Sequence, residues 1–220
     1  MDAFLSGPSV APASGGKPRS IVILLHGYGS NGDDLIGLVP YWRDALPDTL
    51  FLSPNAPEPC PGAPGGRQWW DRAGPAPDAP DAREQRVRGP APVLNAFIDH
   101  HLAAHGLAED RLALVGFSQG TMMSLHAGPR RAKALAGIVG YSGVLVDPTA
   151  LAKEVVTKPP ILLAFGDADP ILPPARMRET DAELRALGFD VTTHVSPGLG
   201  HSIDGAGLTL GAKFLTERLA

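Results

Sequence analysis

The sequence predicts a single α/β domain with a mostly parallel central sheet and helices on both faces. Short, unbroken apolar runs recur along the chain, and such runs are typical of strands buried on both sides. Between them lie segments whose apolar residues recur at spacings of three and four, the pattern of amphipathic helices. Strands that alternate with helices favour a parallel sheet with right-handed crossovers. A length of 220 residues suits one such domain.

Six runs are predicted to be strands. Five are continuous and the last alternates between apolar and polar residues, as an edge strand does; they cover residues 21–25, 50–52, 112–115, 137–141, 161–165 and 191–195. Helices are predicted between or after these runs, following Asn31, around residues 94–102, following Ser118, near Ala175 and near Asp204.

Two segments depart from this alternation. Residues 1–19 are rich in Gly, Pro, Ser and Ala, and we expect them to form a mobile leader ahead of a domain at 20–220. Residues 53–92 carry ten prolines, which disfavour strand and helix interiors. A long connection of this kind is either disordered or a functional flap, and the tryptophans in "GGRQWWD" favour a flap packed on the domain.

The bulk composition excludes several classes of function. The net charge is −4 and the chain has no dense Lys/Arg stretch, so we expect no nucleic-acid partner. No apolar stretch reaches 18 residues and the first residues lack the pattern of a secretory signal, so we expect no membrane span and a cytoplasmic location. Cys60 is the only cysteine, which rules out an intrachain disulfide.

The segment "LALVGFSQGTMMSL" places Ser118 between two glycines. With 26 glycines in the chain, a G-x-S-x-G pattern is weak evidence by itself. Its context is stronger, because a predicted strand precedes the serine and a predicted helix follows it, as a nucleophile elbow requires. The glycines suit a turn that leaves no room for a β-carbon. The similar "GYSG" at 140–143 lacks the second glycine of the pattern.

A nucleophilic serine needs a histidine as base. On a doubly wound sheet these groups meet at the carboxyl ends of the strands, in the chain order Ser, acid, His. His194 and His201 are the histidines that follow a plausible acid. His194 lies inside the alternating strand, whereas His201 lies in the loop "GLGHSID", so we favour His201.

The acid that orients the histidine is expected at the end of the strand at 161–165. Asp169 is preferred over Asp167, which lies so close to the strand end that it suits a turn role. Asp147 ends a different apolar run. The oxyanion needs two backbone N–H groups, and Gln119 and Tyr28 are the candidates. His26 is expected to hold the "HGYG" loop by hydrogen bonding.

The segments "LLHGYGSNGDDL", "GFSQG", "FGDADPILP" and "GLGHSI", in this order, resemble the phospholipase/carboxylesterase family of α/β-hydrolases. That family includes bacterial carboxylesterases and acyl-protein thioesterases. The resemblance spans about nine-tenths of the chain, from Ile21 onward. It implies the α/β-hydrolase fold, a triad of Ser118, Asp169 and His201, and oxyanion donors at Tyr28 and Gln119.

The resemblance also bears on the substrate. The family's W-aromatic-D segment corresponds to residues 69–71, and we expect Trp69, Trp70 and Leu172 to bind substrate. Tyr28 stands where acyl-protein thioesterases usually have Leu, which favours the bacterial carboxylesterase branch. Thr121 replaces a usual glycine and is expected to narrow the floor of the acyl pocket.

The sequence therefore predicts a serine carboxylesterase acting on short- to medium-chain esters through an acyl-enzyme, with a small-molecule ester as its partner. One alternative is a lysophospholipase or acyl-protein thioesterase acting on long acyl chains. Another is a binding protein on a hydrolase scaffold without activity. No cofactor is expected, and no metal, because no His/Asp/Glu cluster has ligand spacing that competes with the triad. The resemblance leaves a homodimer open.

Overall fold

The computed structural model of the protein describes residues 5–72 and 80–219. Seven strands form the central sheet, in the order β1-β3-β2-β6-β7-β8-β9. They are β1 (Ser9–Val10), β2 (Ser20–Leu25), β3 (Thr49–Leu52), β6 (Leu112–Phe117), β7 (Gly137–Tyr141), β8 (Ile161–Gly166) and β9 (Val191–Ser196). A separate two-stranded hairpin consists of β4 (Glu58–Pro59) and β5 (Arg67–Gln68).

The prediction of a mostly parallel sheet is confirmed. Within the seven-stranded sheet, β3, β2, β6, β7, β8 and β9 pair in parallel with their neighbours, and β1 pairs antiparallel with β3. All six predicted strands are present, each with bounds within two residues of the prediction. The alternating strand, β9, lies at one edge of the sheet, where its polar residues do not have to be buried.

Helices cover both faces of the sheet. They are α1 (Gly32–Leu35), α2 (Pro80–Arg88), α3 (Ala91–His105), α4 (Gln119–Ala127), α5 (Pro148–Glu154), α6 (Pro174–Ala186) and α7 (Gly205–Leu219). Side chains alternate between faces along a strand. In β2, Ile23 therefore packs in a core with α3 and α4, whereas Val22 and Leu24 pack in a second core with α7. None of the helices among the described residues is long and apolar enough to cross a membrane.

The helix predicted after Asn31 is shorter than its apolar spacing suggested. Asn31 caps α1 by accepting a hydrogen bond from the backbone N–H of Asp34 at 3.0 Å. The chain then tightens into a 3₁₀ helix, Ile36–Tyr41, which contains Pro40. Trp42 ends this segment fully buried, and its indole N–H donates to the Leu208 carbonyl at 3.0 Å.

A mobile leader was predicted at residues 1–19, but the described part of it, residues 5–19, packs on the domain. Leu5 is buried in the core, and Ser9–Val10 pair with β3. The backbone N–H groups of Ser53 and Asn55 donate to the carbonyls of Pro8 and Ser6 at 3.0 and 2.8 Å. Proline and glycine here adapt the chain to a short antiparallel contact at the sheet edge.

The proline-rich segment at 53–92 is also more regular than predicted, since it contains the β4–β5 hairpin, α2 and the start of α3. Its last prolines lie where a helix tolerates them. Pro80 is the first residue of α2, Pro90 precedes α3, and Pro92 lies in the first turn of α3. Backbone N–H groups in a first turn have no intrahelical partner, so proline removes no hydrogen bond there.

Candidate active site

Ser118 lies on the sharp turn between β6 and α4. Its backbone has φ 54° and ψ −113°, a conformation that side-chain-bearing residues rarely adopt. Among the described residues, Ser142 is the one other non-glycine residue with positive φ. Strain of this kind persists only where the surrounding structure imposes it, and it concentrates at functional sites.

The two glycines around Ser118 allow the turn to pack. A β-carbon on Gly120 would overlap the backbone carbonyl of Leu25 in β2. One on Gly116 would overlap the backbone N–H of Thr121 and the carbonyl of Gly120. Helix α4 therefore approaches the sheet so closely that only glycine fits at either position.

His201 and Asp169 lie together at the carboxyl end of the sheet. Nδ1 of His201 is 2.7 Å from Oδ2 of Asp169, and the Asp169 side chain is completely buried. The other carboxylate oxygen, Oδ1, accepts the backbone N–H groups of Ile171 and Leu172 at 2.8 and 2.9 Å. The carboxylate is thus fixed by three donors, and its hydrogen bond leaves Nε2 of the imidazole available as a base.

The imidazole of His201 also contacts the segment that carries the serine. Its ring packs against that of Phe117, with centroids 4.9 Å apart, and Phe117 directly precedes Ser118. The serine, histidine and acid candidates therefore meet at one end of the sheet, although they are widely separated in the sequence.

The alternative candidates have other roles in the structure. Asp167 accepts the backbone N–H of Gly198 at 2.6 Å, which holds the turn that leads into the His201 loop. Asp147 caps α5 by accepting from Ala150. Nε2 of His194 lies 3.1 Å from the Ser196 hydroxyl, on β9.

Replacing Asp169 and Asp167 separately tests which of the two orients His201. In Asp169→Asn, an amide faces His201 and favours the wrong imidazole tautomer, so we expect kcat for ester hydrolysis to fall by roughly 10³- to 10⁴-fold. Asp167→Asn keeps an acceptor for Gly198 and should cost less than about tenfold. Steady-state kinetics of both purified variants check this, and a larger loss in Asp167→Asn would reverse the assignment.

The loop that follows β2 lies beside Ser118. A β-carbon built on Gly27 would be 3.2 Å from Cβ of Ser118, so the loop that carries Tyr28 borders the same turn. Gln119 begins α4, where unpaired N–H groups and the helix dipole favour negative charge. The two predicted oxyanion donors are thus brought to the same side of the sheet.

His26 holds this loop, as the sequence predicted. It is fully buried, Nδ1 is 2.7 Å from the Gly27 carbonyl, and Nε2 lies 3.0 Å from the backbone N–H of Ala56. One ring nitrogen must donate and the other must accept, so the imidazole is neutral. Burial lowers the pKa of His26, consistent with this neutral form.

The side chain of Gln119 has a role that the sequence did not indicate. Its Oε1 accepts the backbone N–H of Trp69 at 3.1 Å, and its Nε2 donates to the Trp70 carbonyl at 3.0 Å. The residue after the nucleophile is thereby bound to the tryptophan segment. No local signal could have revealed this contact, since the partners are about fifty residues apart.

The two tryptophans occupy different environments. Trp69 was expected to bind substrate, but it is 1% exposed and its indole N–H donates to the His26 carbonyl at 2.9 Å. It therefore anchors the segment to the core. Trp70 is partly exposed and, with Leu172, lines a cavity of about 430 Å³. The remaining described lining residues are Arg72, Arg86, Met122, Val144, Leu145, Val146, Ile171 and Arg176.

Thr121 does not narrow the floor of that cavity, contrary to the prediction. It is fully buried, and its hydroxyl lies 2.8 Å from both the Gly116 and the Tyr141 carbonyls. Its methyl group fills the space above Gly140 and Gly143. The side chain points from α4 to β6 and β7, since this face of the helix packs on the sheet.

A serine on a strand-to-helix turn, backed by a histidine–carboxylate pair at the end of a mostly parallel sheet, defines a hydrolase of the α/β-hydrolase class. Comparison with known proteins agrees with this class. The phospholipase/carboxylesterase family matches residues 7–219, and the chain belongs to that family.

Similar proteins come from fungi and bacteria. Acyl-protein thioesterase 1 of Neurospora crassa is 32% identical over 228 residues, covering 96% of this chain and 91% of the relative. Esterase YpfH of Escherichia coli is 29% identical over 189 residues, covering 86% and 78%. The crystal structure of esterase PE8 superimposes with a TM-score of 0.92 at 42% identity, covering 98% of this chain and all of that structure.

Proposed function

We propose that the protein is a serine carboxylesterase that hydrolyses short- to medium-chain carboxylic esters through an acyl-enzyme. The observation that carries this proposal is the pairing of His201 with the buried Asp169 at 2.7 Å, beside the strained turn of Ser118. The family and the esterases among the similar proteins support the same reaction.

The proposed reaction has two halves. The hydroxyl oxygen of Ser118 attacks the ester carbonyl while Nε2 of His201 takes its proton, and Asp169 stabilises the resulting imidazolium. The backbone N–H groups of Tyr28 and Gln119 stabilise the oxyanion. His201 then protonates the departing alcohol, which leaves an acyl group on Ser118. Water, deprotonated by His201, releases the acid and restores the serine.

The residues that line the cavity favour substrates with short to medium acyl chains over long ones. The lining combines apolar side chains, such as Met122 and Leu172, with three arginines. A long hydrocarbon chain would have to desolvate guanidinium groups, which is costly. Relatives named acyl-protein thioesterase support a second candidate, an acyl-protein thioesterase, for which we expect long acyl chains as substrates.

The test is a series of para-nitrophenyl esters and matching thioesters, from acetyl to palmitoyl, together with labelling by a fluorophosphonate probe. We expect labelling of Ser118 and the highest kcat/KM between acetyl and octanoyl oxygen esters. A maximum at palmitoyl thioester would favour the second candidate. A folded protein that neither labels nor hydrolyses any member would contradict both.

Replacing the two tryptophans separately tests their different environments. Trp70→Ala removes a wall of the cavity, so we expect a higher KM for short and medium acyl esters and a shifted chain-length profile, with probe labelling of Ser118 intact. Trp69→Ala is the matched control, because it empties a buried site and should cost about 3–5 kcal/mol of unfolding free energy. If Trp70→Ala lowers stability sharply and leaves the profile unchanged, the pocket role is wrong.

A small-molecule ester as partner, a homodimer and a cytoplasmic location remain predictions of the sequence. Light scattering coupled to size-exclusion chromatography would decide the oligomeric state.

A further inference from the structure

We propose that the ester substrate carries a second, anionic group, a carboxylate or a phosphate, which binds to Arg86 and Arg72 in the cavity beside Ser118, with Arg176 at the same cavity. This inference rests on the proposed esterase function and names the class of ester that the site takes.

Three residues that line the cavity are hydrogen-bonded to candidate site residues. The backbone N–H of Met122 donates to the Ser118 carbonyl at 3.1 Å, and that of Leu172 donates to the Asp169 carboxylate. The Trp70 carbonyl is bound by the Gln119 side chain. Met122, Leu172 and Trp70 of the cavity lining are therefore hydrogen-bonded to the candidate nucleophile, to the candidate acid and to Gln119, respectively. We therefore expect a substrate that acylates Ser118 to reach this space.

The charge of the lining is opposite to that of the whole chain. The protein has a net charge of −4, yet its described cavity lining contains three arginines and no carboxylate. The arginines come from three separate segments: Arg72 follows the tryptophans, Arg86 lies on α2 and Arg176 on α6. Arginines that served only to keep the surface soluble would be scattered, whereas these three meet at one cavity.

The two arginines of the last turn of α2 differ in their partners. Arg88 forms ion pairs with Glu84 and Glu154. Arg86 forms no ion pair with any carboxylate in the part of the chain that the structure describes, and it is half-buried at the cavity. Because none of these carboxylates pairs with Arg86, the N–H donors of its guanidinium are available to a ligand in the cavity.

The other two arginines are positioned by neighbours. The guanidinium of Arg72 lies over the ring of Tyr28, 5.2 Å from its centroid. It places a cation next to the loop of the candidate oxyanion hole. Arg176 forms an ion pair with Glu179 on its own helix, so we assign it the weaker contribution.

This arrangement suits an ester with an apolar spacer and a terminal anion. Met122, Val144 and Leu172 offer contacts to the spacer, and the guanidinium groups offer paired N–H donors that match carboxylate and phosphate oxygens. A cavity that concentrates positive charge also attracts anionic substrates from solution. The anion can belong to the acyl part, as in a dicarboxylic acid monoester, or to the alcohol part, as in a phosphorylated alcohol.

The test compares matched neutral and anionic esters. For the acyl part the pair is para-nitrophenyl butyrate and the para-nitrophenyl monoester of glutaric acid. For the alcohol part it is monobutyrylglycerol and its phosphate ester. We expect the wild type to favour the anionic member of one pair, which identifies where the anion lies, and added salt to reduce that preference through screening.

Arg86→Gln should lower kcat/KM for the favoured anionic ester about tenfold relative to its neutral counterpart, which corresponds to the loss of one charge-assisted hydrogen bond. Arg72→Gln should act in the same direction. Arg178→Gln is the matched control, because Arg178 is an exposed arginine of α6 that does not line the cavity. It should alter neither rate.

Two results would overturn the inference. One is a wild-type enzyme that hydrolyses the neutral members as fast as, or faster than, both anionic members. The other is an anionic preference that survives in Arg86→Gln and Arg72→Gln. Either result leaves the esterase function standing, whereas failure to hydrolyse all four esters would overturn the function as well.

Discussion

Replacing Ser118 with alanine is expected to reduce kcat for ester hydrolysis by roughly 10⁴-fold or more while the protein stays folded. The alanine keeps the β-carbon and the strained backbone of the turn, and removes only the attacking oxygen. His201→Ala should cost about as much, because the residues of such a triad act as a unit and their losses do not add. Steady-state kinetics and circular dichroism on the purified variants measure both effects.

Ser142→Ala is the matched control for this experiment. Ser142 is the other serine with positive φ among the described residues, and it directly follows β7, the strand next to β6. Its hydroxyl lies 3.4 Å from the Ser202 carbonyl, a long hydrogen bond, so its loss should lower kcat by less than about tenfold. If Ser118→Ala retained more than a tenth of the wild-type activity, Ser118 would not be the nucleophile.

Replacing Gly120 with alanine is expected to destabilise the protein by more than about 3 kcal/mol, or to leave no folded protein. The added methyl group overlaps a main-chain carbonyl of β2 and cannot be relieved by turning a side chain. Helix α4 would have to move away from the sheet and carry the N–H of Gln119 with it. Activity in any folded fraction should therefore fall as well.

Urea denaturation of Gly120→Ala and Gly205→Ala separates this clash from a general effect of removing glycine. Gly205 begins α7 and has open space where a β-carbon would lie. Alanine there should be neutral or slightly stabilising, because alanine has the higher helix propensity. Equal midpoints for Gly120→Ala and the wild type would show that α4 can shift without cost.

The strands could be predicted from the sequence because parallel strands buried on both faces leave continuous apolar runs. The candidate site could be predicted because chain order and loop position distinguish His201 from His194. The choice of Asp169 over Asp167 rested on distance from the strand end, since Asp167 lies so close to that end that it suits a turn role. The structure adds how the two aspartates differ: Asp169 has a second carboxylate oxygen at His201, whereas Asp167 binds a backbone N–H of the turn at Gly198.

The roles that could not be predicted from the sequence depend on contacts between segments that are far apart in the chain. Trp69 and Trp70 are adjacent and chemically identical. Trp69 is nevertheless buried and donates a hydrogen bond to the His26 carbonyl, whereas Trp70 lines a cavity. Thr121 faces the sheet rather than the cavity because of how α4 docks. The convergence of arginines from three segments likewise appears only when the chain is folded.

The short antiparallel contact of Ser9–Val10 with β3 has a consequence for handling the protein. An open sheet edge exposes a row of unpaired backbone groups to which another chain can add a strand. Here that row is capped by a two-residue strand, and Pro8 and Pro12 on either side have no N–H to offer an incoming partner. Shortened variants that begin after Pro12 would uncover β3 and invite intermolecular β-pairing. An affinity tag is therefore better joined ahead of these residues than substituted for them.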